Sequence, residues 1–264
     1  MYLTQIELNS ARRQTKRFLG EPESLHAAVA ALFPRSWEDV GRVLWRVDNT
    51  HRGLFLYIVS ELKPDAISLV EQAGWPESAP ARTAEYGTFL DSIENGQKYR
   101  FRLKANPTHT PWVQGKRGKP VPHVTERYQR QWLVDKCDVL GIECHDALVE
   151  NSESLGETPA GGASENDTTG STPFMQQGAD TSFVICERGQ QVFYKSASHR
   201  DGTRDNAGSH TPARSRHRIA ITYAVFEGVL RVKDADKLRK ALCEGIGREK
   251  AYGYGLMTLA KYDS

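Results

Sequence analysis

Residues 223–259 read YAVFEGVLRVKDADKLRKALCEGIGREKAYGYGLMTL. The run divides into strand, helix, glycine-rich loop and strand. Phe226, Gly228, Leu230 and Val232 alternate on one face of the first strand, with Glu227 and Arg231 on the other. Asp234 offers a side-chain oxygen as N-cap, Leu238, Ala241 and Leu242 recur at helical spacing, and Gly245 stands where a left-handed C-cap residue belongs. The helix therefore covers roughly residues 235–244. Beyond it Gly245, Gly247, Gly253 and Gly255 let backbone N–H groups approach a ligand, and Arg248 and Lys250 lie between them. An anionic ligand such as a phosphate suits that combination. A plain turn is the competing meaning, because the spacing is neither a dinucleotide fingerprint nor a P-loop.

Outward from this stretch, residues 99–105 alternate Tyr99, Phe101 and Leu103 with Arg100, Arg102 and Lys104. Such a strand suits a sheet packed on a core and open to a phosphate backbone, or one merely kept soluble by its charge. The loop over residues 106–123 adds Lys116, Arg117 and Lys119, and Thr125 caps a helix over about residues 126–139. Residues 150–180 turn to Ser, Gly, Thr, Glu and Pro, which bury too little apolar surface to fold, and read as a flexible acidic insertion. Residues 182–196 alternate as a strand. Residues 195–218 then hold six Lys or Arg, three His and two Asp. The reading is a long basic hairpin tip, with a basic loop of no fixed structure as the alternative.

At the other end, residues 2–9 form a first strand and residues 10–20 a loop carrying Arg12, Arg13, Lys16 and Arg17. Four cations in six residues make a solvated face or a phosphate contact. Pro22 and Glu23 start a helix with the apolar stripe Leu25, Ala28, Val29, Leu32 and Phe33, which Pro34 closes. His26 lies about 100° around from Leu25, at the edge of the stripe and in the first turn, a half-exposed position. Residues 42–47 and 54–61 read as strands joined around His51, Arg52 and Gly53, residues 64–74 as a helix, and residues 84–93 as a poorly signalled fourth strand. That order is βαββαβ, the ferredoxin-like pattern, and Asn95-Gly96 ends it with a turn. The fold class is α+β, with one unit over residues 1–94 and a second over residues 97–264.

The net charge of +2 conceals a segregation. Ten acidic residues and no Lys or Arg lie between Cys137 and Glu187, and without that stretch 35 basic residues face 23 acidic ones. The remainder has the balance of a polyanion-binding surface. No apolar run approaches the roughly 20 residues of a membrane helix, and the first residues lack a signal peptide's apolar segment, so a cytoplasmic protein is expected. Cys137, Cys144, Cys186 and Cys243 form no CxxC pair, so neither a zinc site nor a disulfide framework is indicated.

FEGVL, the capped helix, GIG and YGYGLMTL together resemble the C-terminus of the CasE family, the CRISPR repeat-cleaving endoribonucleases of the type I-E Cascade complex. The likeness returns in the opening MYLTQIELN, in PESLHAAVAALFP and in YRFRLKANPTHT. It implies that the glycine-rich loop is the hallmark of the wider superfamily of repeat-associated RNA-binding proteins. It also implies that His26, in the frame P-x-x-x-H before an aliphatic run ending in Phe-Pro, is the catalytic histidine. A basic hairpin in such proteins enters the groove of the repeat's RNA stem, which makes Arg200, Arg204, Arg214, Arg216 and Arg218 candidates. Some members carry a tyrosine three residues before the histidine; Glu23 stands there, and it can orient His26 or simply help the helix start. The acidic insertion also departs from the family's pattern.

The chemistry expected needs little apparatus. RNA supplies its own nucleophile in the 2′-OH, so scission requires a base, a proton for the leaving 5′-oxygen and positive charge on the phosphate. No tight carboxylate cluster of the two-metal kind appears, and no metal or other cofactor is expected. Histidine, with a reference pKa of about 6.5, serves as base or acid near neutrality. A helix N-terminus disfavours imidazolium and a bound phosphate favours it, so which proton His26 moves stays open. The electrostatic partner is Arg13, Arg17, Arg248 or Lys250. The expected partners are a CRISPR repeat stem-loop RNA and other Cascade subunits. The competing reading is a non-catalytic RNA-binding subunit of such an assembly, and a more distant one is a general double-stranded RNA binder.

Overall fold

A computed structural model describes residues 1–33, 41–112, 114–115, 118–146, 181–196 and 216–262. The acidic insertion, Lys116, Arg117, Arg200, Arg204 and Arg214 lie outside the described residues.

The first half is built on a four-stranded antiparallel sheet in the order β2-β3-β1-β4, from β1 (Tyr2–Leu8), β2 (Leu44–Thr50), β3 (Gly53–Ser60) and β4 (Arg82–Glu85). Ile6, Leu8, Leu54, Leu56 and Ile58 share one face because the strand period is two. That face is covered by α1 (Arg13–Gly20), α2 (Pro22–Ala30) and α3 (Ile67–Ala73), through Phe18, Leu25, Val29, Leu69 and Val70.

Two expectations fail here for the same reason. Residues 10–20 are not a loop, since α1 buries Thr15 and Phe18, three apart, and Thr15 Oγ1 donates to Ala73 O at 2.8 Å. Burial of one short stripe outweighs the charge of the run around it. Residues 84–93 are not a strand: β4 ends at Glu85, and Tyr86 and Leu90 bury one face of α4 (Tyr86–Asp91) at a spacing of four. The helix expected over residues 64–74 is shorter, at Ile67–Ala73.

The second half carries the sheet β12-β5-β11-β10-β9, from β5 (Lys98–Ala105), β9 (His145–Asp146), β10 (Ser182–Ser196), β11 (Arg216–Val232) and β12 (Met257–Lys261). β8 (Ile142–Glu143) pairs with the end of β11, and β6 (Thr108–His109) and β7 (Val121–Pro122) form a small hairpin of their own. α5 (Glu126–Leu140) and α6 (Ala235–Glu244) cover the apolar face, where Trp132, Leu133, Leu238 and Leu242 meet Phe101, Leu103, Phe226 and Leu230. Asp234 caps α6 as expected, accepting from Lys237 N at 3.1 Å. Thr125 occupies the N-cap of α5 without a side-chain cap bond, and Gly245 has φ 78° but ψ 162°, outside the left-handed helical region. Asn95-Gly96 is a turn, with Gly96 at φ 88°. Among the described residues no helix is long and apolar enough to cross a membrane.

The two halves are joined by a buried arginine. Arg46, on the face of β2 turned away from the helices, is 1% exposed. Its five N–H groups make five bonds: Nε and Nη2 to the two carboxylate oxygens of Asp48 at 2.8 Å each, Nη2 to Thr258 Oγ1 at 2.8 Å, and Nη1 to Arg102 O at 2.8 Å and Leu256 O at 2.7 Å. Tyr57 stacks beneath it, with the guanidinium 5.6 Å from the ring centroid. Replacing Arg46 by Met leaves two carbonyls without this donor and the buried Asp48 carboxylate with only Arg102 beside it. Arg46→Met is expected to lower unfolding free energy by about 3–5 kcal/mol, read as a fall in the urea midpoint.

Candidate active site and nucleic-acid interface

Pro22 opens α2, and Leu25 and Val29 anchor it in the core. His26, the fifth residue of the helix, is carried round to the rim, half-buried, with its Nδ1 out of reach of water. It therefore lies beyond the first turn where the sequence reading put it, and the helix dipole, which fades within that turn, acts on it only weakly.

The cations of α1 divide. Arg13 and Lys16 are exposed. Arg17 Nε bonds Glu21 Oε2 at 2.9 Å, and the same oxygen accepts from Ser24 Oγ at 2.8 Å, so Arg17 ties the two helices together. Arg12 turns away and donates to Glu71 O in α3.

The glycine-rich loop sits beside α2, but its glycines are explained by packing. Gly253 has φ 85°, and a Cβ there would come 2.4 Å from the Trp45 ring; at Gly245 a Cβ would come 2.7 Å from Leu44. Three of the four N–H groups already donate within the protein, Gly245 to Ala241 O, Gly253 to Lys250 O and Gly255 to Lys104 O. Those three groups are engaged within the protein, on the end of α6, on the loop itself and on β5, rather than turned toward a ligand. Lys250 Nζ donates to Glu244 O at 2.8 Å at the C-terminus of α6, and burial holds its pKa below the usual lysine range, with Arg42 adding to the effect. Arg248 is exposed.

Aromatic residues that sequence reasoning missed lock the hairpin to this loop. Tyr252 packs on Phe193 of β10, ring centroids 4.9 Å apart, and Tyr254, 1% exposed, packs on Tyr223 of β11. Tyr254 Oη donates to Gln191 Oε1 at 2.7 Å, and Gln191 Nε2 donates to Leu19 O in α1 at 3.1 Å. The alternation YGYG was the available signal. Leu19, Pro22, Trp45, Lys104, Gln190 and Tyr252 line a cleft of about 290 Å³ at this meeting point.

The basic face of β5 is not open as expected. Arg102 Nε lies 3.3 Å from Asp48 Oδ1 and Arg102 also pairs with Glu227, while Lys104 Nζ sits 4.6 Å from the Tyr223 ring centroid. Burial pushes the Lys104 pKa down. Packing against the first half covers this face, leaving Arg100 exposed. A larger groove of about 760 Å³ runs between the halves, and Arg52 of the β2–β3 turn and Arg82 of β4 line it beside Arg102. Arg218 of β11 is exposed, and Arg216 begins that strand.

A family model described as "CRISPR associated protein" matches residues 1–261. The chain belongs to this family of CRISPR-associated proteins. A member from Thermus thermophilus, named CRISPR-associated endoribonuclease Cse3, is 26% identical over 263 residues, covering 98% of this chain and 100% of that one. Among solved structures, Cse3 bound to a 19-nucleotide RNA superposes with a TM-score of 0.65 at 21% identity, over 98% of this chain and 100% of that one. A chain of a CRISPR RNA-guided surveillance complex in a pre-nicking state gives a TM-score of 0.51 at 21% identity, over 99% and 100%. The α+β fold of this CRISPR-associated protein is thus shared along its whole length.

Gly253→Ala places a methyl group in the Trp45 ring at a positive φ. It is expected to cost about 1–3 kcal/mol of stability, measured by thermal unfolding. Gly87→Ala, where nothing lies within 4 Å of the new atom, is expected to leave stability within about 0.5 kcal/mol of the parent.

Proposed function

We propose that this chain is a metal-independent endoribonuclease that cuts CRISPR precursor RNA on the 3′ side of the repeat stem-loop, stays on the stem-loop and joins a Cascade assembly. The observation that carries the reading is the convergence of α2, the helix that carries His26, with α1, the glycine-rich loop and the β10–β11 hairpin around one cleft, in a chain related end to end to a named endoribonuclease. The likeness to a chain of an RNA-guided surveillance complex supports the assembly.

The architecture proposed is two tandem ferredoxin-like units, over residues 1–94 and 97–264. With α4 and the two-residue strands β6 to β9 set aside, each half follows the chain order β-α-β-β-α-β, α1 and α2 sharing the first crossover, and the strand orders β2-β3-β1-β4 and β10-β11-β5-β12 follow one pattern.

In the proposed reaction the 2′-OH attacks the adjacent phosphate, giving a 2′,3′-cyclic phosphate, or its 3′-phosphate, and a 5′-hydroxyl. His26 moves a proton, and the exposed Arg13, Lys16 and Arg248 supply positive charge to the phosphate. Lys250, half-buried and bonded to Glu244 O, and Arg17, bonded to Glu21, hold those cations' supports in place. The hairpin, with Arg200, Arg204, Arg214, Arg216 and Arg218, reads the A-form stem by shape and phosphate contacts. Glu23, in place of the tyrosine of some relatives, favours the one rival, an RNA-holding subunit without activity.

Incubation with a labelled repeat stem-loop in EDTA separates the two. A single cut is expected, lost by at least about 100-fold in His26→Ala and lost with a 2′-deoxy sugar at the cut site, while binding persists. Tight binding with no cut by the parent protein favours the rival. Arg218→Ala is expected to weaken binding and lower the slope of log affinity against log salt by about 1.

A further inference from the structure

The structure brings together two cysteines that no part of the RNA chemistry uses. Cys137, in the last turn of α5, and Cys144, between β8 and β9, are both buried, and their sulfurs lie 2.9 Å apart. Gly141 makes the meeting possible. At φ 68° it ends α5 in the left-handed region, and with a Cβ position only 2.4 Å from Asp234 O it turns the chain back along the helix.

The returning segment is held from three sides. Ile142 and Glu143 pair with Val232 and Arg231, Lys233 N and Asp234 N donate to Gly141 O at 2.8 and 2.9 Å, and Arg130 Nη1 of α5 bonds Asp146 Oδ1 at 2.7 Å. The sulfurs are thereby fixed within about 1 Å of the roughly 2.05 Å of a disulfide. Cys186, by contrast, is exposed, and Cys243 is half-buried.

We propose that Cys137 and Cys144 are a reversible oxidation site, closing to a disulfide when the protein meets hydrogen peroxide and reopening with a dithiol reductant. The Cys137 thiolate attacks one peroxide oxygen and expels hydroxide, becoming a sulfenic acid. The Cys144 sulfur then attacks that sulfur, and its proton leaves with the displaced hydroxide as water. The proton first lost by Cys137 converts the other hydroxide to water, so two thiols and one peroxide give one disulfide and two waters. Cys137 leads because the hydrogen bond from the Cys144 thiol holds its pKa below the usual thiol range, while that same bond, and then burial, push Cys144 up.

The bridge acts on the hairpin. β9 pairs in parallel with the start of β10, His145 opposite Ser182 and Asp146 opposite Phe183. Further along β10, Gln191 and Phe193 engage α1 and the glycine-rich loop. A covalent link from α5 to the segment entering β9 therefore stiffens the root of the hairpin, whatever the hairpin binds.

The test treats the full chain with hydrogen peroxide, alkylates it in denaturant and maps the peptides by mass spectrometry without reduction. With cleavage after glutamate, which cuts at Glu143, the expected result is one cross-linked peptide pair holding Cys137 and Cys144, lighter by two hydrogens than its reduced form. Cys243 remains alkylated, and dithiothreitol restores all four thiols. The melting temperature is expected to rise by about 5 °C on oxidation. Cys144→Ala should lose that shift, and the thiol map of the parent protein decides by itself if the variant does not fold. Alkylation of both Cys137 and Cys144 after peroxide, a sulfinic acid on either, or a disulfide through Cys186 alone would overturn the proposal.

Discussion

The arrangement of the whole molecule depends on one guanidinium out of water. Arg46 is a charged group with five donors in a position where each unmet donor carries a desolvation cost, and all five are met. Two acceptors belong to Asp48 on the same strand, which neutralises the charge, and three belong to β5, to the residue before β12 and to β12 itself. Only one relative placement of the two halves satisfies them together. Leu44, close to Arg46 on β2, packs into the second core while Trp45 packs into the first, so the strand is shared by both hydrophobic clusters.

That placement decides where the candidate site lies. The glycine-rich loop leads into β12, the strand that Arg46 holds, and rests on Leu44 and Trp45 of the same strand β2. Close approach of backbone to a ring is what the glycines make possible, and the tyrosines between them reach the hairpin. The loop thus couples β2, the hairpin and α1, and α2 with His26 sits against this assembly. Charge is sorted by the same packing: Arg46, Arg102 and Lys104 are enclosed and paired or stacked, whereas Arg13, Lys16, Arg248 and Arg218 face solvent.

Much of this is legible in the chain's own pattern. Periodicity alone fixed β1, β3, β5 and β10 to within a residue or two, whereas β11 begins at Arg216, inside the run read as hairpin tip; the Asp234 cap and helical spacing fixed α6. Leu25 and Val29 fixed α2 and, with it, the rim position of His26, although the helix ends at Ala30 and Leu32 and Phe33 are buried beyond it, not within it as the stripe suggested. The failures have local causes. α1 is an eight-residue helix with two buried positions, too short for its period to stand out from four cations. α4 follows β4 without an intervening loop, so two periods overlap in ten residues.

Sequence by itself determined the α+β order of elements, the faces that strands and helices bury, the basic balance outside residues 137–187 and the place of His26 at the edge of an apolar stripe, because these depend on side-chain period and residue type along a local stretch; its candidacy as the catalytic residue came from the family resemblance. Tertiary structure alone decided which cations remain open, that the glycines serve packing against Leu44 and Trp45, and that Cys137 meets Cys144. Each of those depends on what another part of the chain places opposite. Burial changes the free energy of a charge, an N–H or a thiol by more than its own identity does, and burial is a property of contacts distant in sequence.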